Sequence, residues 1–209
     1  MSRTGDGGRA RSVLVTLLAA LGAAHLLLLS FKVRGLSGFS PVAPDQANWW
    51  GLFGLTILVA TLAGVIAHAI FALVARPLVA RFGSGSERRD LRTVWGLANF
   101  PAAAGFLILV LFDVLIGGRE AYAGAEAGPL VTGWTAGSLA VGLSLGIWSF
   151  YLFVQGLRVA ADVHGAGTIM VVVVAAISLA VAAALATAIV AGLISLIVLL
   201  VNVIEAVKK

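Results

Sequence analysis

Three ionisable residues fall inside apolar stretches of this chain: His25 in LLAALGAAHLLLLSF, His68 in AGVIAHAIFAL and Asp113 in LVLFDVLIGG. Placing such groups in hydrocarbon is costly, so each is by default a candidate for proton transfer, ion passage or a specific intramembrane pairing. Two imidazoles and a carboxylate could relay a proton or hold a cation if they met at one depth. Their places in the sequence do not suggest that they do. Both histidines lie toward the ends of their runs, where the plainer reading is a hydrogen-bonded, neutral imidazole in a helix bundle. Asp113 lies at the outer end of its run and either reaches the interface or pairs with Lys32 or Arg34, which belong to the same side. No carboxylate pair, Ser-His-Asp set or His/Glu cluster at metal-ligand spacing occurs, and cysteine is absent. No catalytic, cofactor-binding or metal-ligating residue is therefore assigned.

The second polar concentration is RFGSGSERRDLRTVWGLANFP, residues 81–101. It lacks the phosphate-loop pattern G-x-x-x-x-G-K-[ST] and no strand precedes it. Four arginines against Glu87 and Asp90 are too few for a nucleic-acid surface, so no nucleic-acid partner is expected. The Gly-Ser segment reads as a turn, with Ser86 as N-cap. A helix then places Leu91, Val94, Trp95 and Ala98 at i, i+3, i+4 and i+7. Arg88, Arg89 and Arg92 on its wetter side, with Trp95, read as contacts to lipid headgroups or a cytoplasmic partner. The expectation is an interfacial helix running into a span, with Pro101 kinking that span near its start.

These residues must be held by elements that lipid solvates. The chain is 61% hydrophobic and 11% charged, with a mean hydropathy of +1.08; soluble domains are about 25% charged. A spanning helix takes about 20 apolar residues. The runs fitting that length are about 12–31, 49–74, 97–116 and 134–157. The first could be a signal peptide, but its apolar core is too long and no cleavage pattern follows closely. Thr168 to Ile204 carries no charge and would make roughly 55 Å of helix, too long for one straight span. It reads as spans 168–186 and 188–204, or as a single span that continues outside the hydrocarbon. The fold expected is thus all-α: a polytopic transmembrane bundle with five core spans and a sixth. Residues 1–11 form a short N-terminal segment, 12–204 a single domain and 205–209 a basic tail. Arg3, Arg9, Arg11, Arg76, Arg81, Arg88, Arg89, Arg92 and Arg158 share one face and outnumber Lys32, Arg34 and Arg119 on the other. That bias puts the N-terminus in the cytoplasm. Lys208 and Lys209 favour a cytoplasmic C-terminus and hence six spans. The Arg-, Ala- and Gly-rich wording points to a bacterial plasma membrane.

Gly133, Gly137, Gly142 and Gly146 form two small-xxx-small pairs along the fourth span, a spacing that lets helix backbones approach. They are the candidate helix-packing residues.

The segments AHAIFALVARPLVARFGSGSERRDLRTVWGLANFPAAAGFLI and LGIWSFYLFVQGLRVAADVHGAGTIMVVVV resemble the Yip family (Ypt/Rab-interacting protein domain) in its prokaryotic branch. The resemblance runs through Gly96, Asn99 and Pro101 in the first segment. In the second it runs through Trp148, Leu152, Gly156, Leu157, His164 and Gly165. It implies a five-helix polytopic bundle without catalytic chemistry, in which Asn99, Pro101, Trp148, Gly156 and Gly165 serve structure. Eukaryotic relatives contact Rab GTPases in vesicle traffic. Only about eleven residues precede the first span here, so no Rab GTPase is expected. Some bacterial members resemble accessory components of ABC-type exporters.

The function expected is a non-catalytic membrane scaffold or accessory subunit needing no cofactor. Its partners would be the lipid bilayer and other membrane proteins, transporter subunits included, or a second copy of itself. The alternative is a small transporter or channel; a lipid-modifying enzyme ranks third for want of a nucleophile or metal set.

Overall fold

Long runs of Leu, Ala, Val and Ile with few interior breakers leave the backbone one economical way to satisfy its polar groups, hydrogen bonding within each helix. The computed structural model describes residues 4–36, 49–80, 88–118, 120–123 and 128–162, with isolated positions between 169 and 188. Those segments form six α-helices: α1 (Thr4–Leu36), α2 (Trp49–Val79), α3 (Arg88–Ala98), α4 (Phe100–Ile116), α5 (Glu120–Ala123) and α6 (Pro129–Ala161). No strand occurs among the described residues. Among the described residues four stretches are long and apolar enough to cross a membrane: Ala10–Val33, Phe53–Pro77, Asp90–Ile116 and Pro129–Ala160. The expected spans at 168–186 and 188–204 lie almost wholly outside the described residues.

The third of these stretches corrects the sequence reading. By length and composition it begins at Asp90 rather than Leu97, because α3 runs on into α4 and packs its apolar stripe inside the bundle. Its apolar stripe inserts between α2 and α6, where Leu91, Trp95 and Ala98 are buried with Phe71, Ala72, Ala75, Phe153 and Leu157. Phe71 meets Trp95 edge-on at 4.7 Å and Phe153 at 5.6 Å. An amphipathic pattern does not say whether its apolar side faces acyl chains or other helices.

The helix is interrupted at Asn99, just ahead of Pro101. Proline has no N–H to give and its ring conflicts with the carbonyl four residues back, so the regular ladder stops there. Two substitutes repair the gap. The Asn99 Nδ2 donates to the Trp95 carbonyl at 2.9 Å, and the Ala102 N–H donates across to Ser149 Oγ on α6 at 3.1 Å. A hydroxyl from another helix thus caps α4. At its far end, Gly118 takes φ of 52°, a left-handed conformation open to glycine, and turns the chain into α5. Proline at the first position of α6 has the φ that a helix start needs.

Close helix contacts are set by small residues. A Cβ on Gly64 of α2 would lie 2.8 Å from the Ala20 backbone of α1. A Cβ on Gly96 of α3 would strike the Val15 carbonyl, and one on Gly22 of α1 would overlap the Asn99 side chain. Within lipid such dispersion contacts supply much of the helix association. Around them, Leu107, Ile108, Leu111 and Leu115 of α4 and Leu130, Val141, Ile147 and Tyr151 of α6 are exposed, the apolar belt a bilayer would cover.

Candidate functional site: a buried ion pair

The C-terminal end of α1, the C-terminal end of α4, α5 and the first turns of α6 meet at one end of the bundle. There Lys32 Nζ lies 2.7 Å from Asp113 Oδ2 and 2.8 Å from Oδ1. Neither side chain is more than 2% exposed. Bare charges at such a position would be prohibitive, so their remaining hydrogen-bonding capacity must be filled. It is filled from two elements, α5 and α6. Tyr122 of α5 donates its hydroxyl to Asp113 Oδ2 at 2.5 Å, and Trp134 of α6 donates Nε1–H to Oδ1 at 2.8 Å. Lys32 donates to Ser138 Oγ at 2.8 Å, and the Ser138 hydroxyl donates to the Thr135 carbonyl. The ammonium also stands 5.8 Å from the centre of the Tyr122 ring, within cation–π reach. Burial, reinforced by the neighbouring Asp113 carboxylate, holds the Tyr122 phenol well above its ordinary pKa. It therefore remains a donor throughout the physiological range.

The arrangement is a closed polar knot. One carboxylate, accepting from an ammonium, a phenol and an indole, ties four helices together. Of the two partners foreseen for Asp113, Lys32 makes the contact; the Arg34 side chain is not among those described. Asp113 is fully buried and so does not reach the interface. Tyr122, Trp134 and Ser138 were missed from sequence. Trp134 and Ser138 stand four apart on α6 and hence on one face, a signal that was available. Tyr122 carried none, since it lies in a short connection.

The other candidate residues stand apart from this knot. His25 is buried between α4 and α6, its ring beside Gly105 and Gly142. Its Nε2 donates to the Gly142 carbonyl at 3.0 Å, a bond that a carbonyl can only accept. His68 of α2 is buried against Trp95, ring centres 5.5 Å apart, and its Nδ1 has no hydrogen-bond partner among the described residues. Thus His25, His68 and Asp113 do not converge. Among the described residues no group of three or more His, Cys, Asp or Glu could hold a metal.

Of the four glycines expected to pack, Gly142 alone does so among the described residues, against Leu29 and His25. A Cβ on Gly133, Gly137 or Gly146 would meet nothing within 4 Å among the described residues. The two pairs are separated by five residues, which turns them to opposite sides of α6. Among the described residues the four therefore do not share one packing face: Gly142 is packed and the other three meet no neighbour. Trp95 is corrected likewise: it is a core residue, 6% exposed, and cannot touch a headgroup or partner. Arg92 is exposed and reaches back to the Ala69 carbonyl at 3.4 Å; the side chains of Arg88 and Arg89 lie outside those described. Asn99 and Pro101 form the α3–α4 break. Gly156 admits Val94 of α3, which a Cβ would meet at 2.7 Å. Trp148 is 56% exposed, so it lies outside the core, and Gly165 is outside the described residues.

Four membrane-length stretches among the described residues, joined at one end by a buried ion pair, define the chain as an α-helical membrane protein. No family model, curated protein or solved structure matches it.

Proposed function

We propose that the protein is a non-catalytic scaffold or accessory subunit of a complex in a bacterial plasma membrane. In this reading it has a cytoplasmic N-terminus and six spans, and is related to the Yip family. The observation that supports it best is the closure of the Lys32–Asp113 knot. A transport or catalytic site keeps a group available for its substrate, whereas here the carboxylate oxygens and the ammonium are taken up by Tyr122, Trp134, Ser138 and each other. The chemistry of the interior is spent on holding helices together, which leaves the outer surface to interact. The resemblance makes subunits of an ABC-type exporter the class of partner to look for first. Mild-detergent extraction of native membranes followed by affinity capture is expected to yield stoichiometric partner subunits. A chain recovered alone after crosslinking in the intact membrane would overturn this reading.

His68 Nδ1, buried without a hydrogen-bond partner among the described residues, favours the second reading, a small transporter or channel, because such a group could serve a passing solute. Solute flux in proteoliposomes, abolished by His68→Ala, would move the assignment there.

A further inference from the structure

Two contacts fix the register of α1 against the α3–α4 stretch. At one end Lys32 pairs with Asp113, 81 positions later in the chain. Toward the other end the Gly96 backbone lies against the Val15 carbonyl, and those two residues have the same offset. The two runs are therefore parallel and in step from Val15 to Lys32. The same offset matches Arg11 with Arg92. Each arginine stands four residues, about one turn, before the Val15–Gly96 contact, and so on the side of its helix that faces the other. We propose that this arginine pair binds the phosphate of a phospholipid with net negative charge, of the phosphatidylglycerol type, in the leaflet on the N-terminal side of the bundle.

The pair sits at the right depth. Arg11 is the second residue of the apolar stretch Ala10–Val33, and Arg92 the third of Asp90–Ile116. Lys32 follows Arg11 by 21 residues, and Asp113 follows Arg92 by 21. Both intervals make roughly 31 Å of helix, about the thickness of a hydrocarbon core. With the ion pair at one boundary, the arginines reach the other, where phosphates lie. Both are exposed, and neither is ion-paired with a described carboxylate. Arg92 uses one N–H on the Ala69 carbonyl at 3.4 Å, which holds the guanidinium along α2 and leaves its other donors free. Asp90 does not neutralise the pair. Two positions before Arg92, it lies on the opposite side of α3, where it lines the groove against Gln155 and Val159 of α6. Two like charges on facing helices repel. A phosphate between them removes that repulsion and gives each fork of donors an anionic oxygen to bind. A choline headgroup would bring its own cation to the same place, with Asp90 turned away. A glycerol headgroup brings none, so the net charge of the lipid sets the selectivity.

The test is native mass spectrometry of the purified full chain titrated with equimolar dioleoyl phosphatidylglycerol and dioleoyl phosphatidylcholine. The wild type is expected to retain the glycerol lipid about tenfold more strongly, the size of one charge-assisted hydrogen bond. Arg11→Gln and Arg92→Gln should each lower that retention about fivefold. The double variant should lose little more than either single one, because a bridged phosphate needs both sides. Arg158→Gln, in the last turn of α6, should leave retention unchanged. All three side chains are exposed, and unchanged thermal unfolding confirms that each variant is folded. Equal retention of the two lipids by the wild type would overturn the proposal. Additive losses that Arg158→Gln matches would overturn it too, by showing a diffuse basic surface in place of a site. Displacement of the glycerol lipid by millimolar inorganic phosphate would give the pair to a soluble anion and remove the lipid as its occupant.

Discussion

At the scale of single residues, the Lys32–Asp113 pair makes the sharpest predictions. Removing one partner strands the other charge in a dry site, so Lys32→Met or Asp113→Leu alone should destabilise by about 3–5 kcal/mol. Replacing both should restore most of that loss, because two apolar side chains need no compensation. Unfolding titrations in mixed micelles measure the cycle; equal, additive losses would mean that the pair is not coupled. Tyr122 adds a pH signature. Its folded-state pKa is raised, so the folded chain holds the phenolic proton after the unfolded chain has released it. This contribution to stability is complete below about pH 10, the unfolded value. Above that it falls by up to about 1.4 kcal/mol per pH unit. Tyr122→Phe should remove this alkaline decline while lowering stability at neutral pH. How far this site could be read from sequence depends on what each residue signals. Lys32 and Asp113 announced themselves as charges at the same end of apolar runs. Tyr122, Trp134 and Ser138 are ordinary residues near a membrane interface, and only the folding of α5 over the end of α4 gives them a carboxylate to serve.

At the scale of the helix, glycines that look alike in sequence should respond in opposite ways. Gly64→Ala forces its methyl against the α1 backbone and should cost about 1–3 kcal/mol. Gly137→Ala meets no described neighbour and should be neutral or stabilising by up to about 1 kcal/mol, as helix propensity alone dictates. The same unfolding assay separates them. Ser149→Ala should cost about 1 kcal/mol by orphaning the Ala102 N–H at the start of α4. Hydropathy located the four spans because the length and apolarity of a segment are local properties. It could not tell which glycines pack, since that depends on which neighbouring helix faces them. The burial of α3 was hidden for the same reason: Leu91 and Trp95 are apolar whether lipid or Phe71 and Phe153 lie opposite.

At the scale of the whole molecule, the absence of cysteine makes the orientation directly testable. Single cysteines at Ala80 and Gly128, both exposed, lie beyond opposite ends of the membrane-length stretches. A membrane-impermeant maleimide added to intact cells should label Gly128→Cys and spare Ala80→Cys. The reverse pattern would invert the proposed topology. Lys208→Cys in the same assay distinguishes five spans from six, and protection from the outside is expected.

The ion pair also imposes an order in time. Lys32 and Asp113 lie 81 residues apart in sequence. At roughly 5–20 residues per second of synthesis, about 4–16 s pass between the emergence of the ammonium and of its carboxylate. During that interval α1 cannot settle to its final depth, because an unpartnered lysine in hydrocarbon costs about 2.5–3.5 kcal/mol even on insertion scales. Its position near the end of α1 lets the long side chain reach toward water while it waits. Asp113 then draws it inward, and α5 and α6 close behind it. A chain stalled before Asp113 would therefore display an unmet charge in the membrane, a recognisable mark of incomplete assembly for cellular quality control.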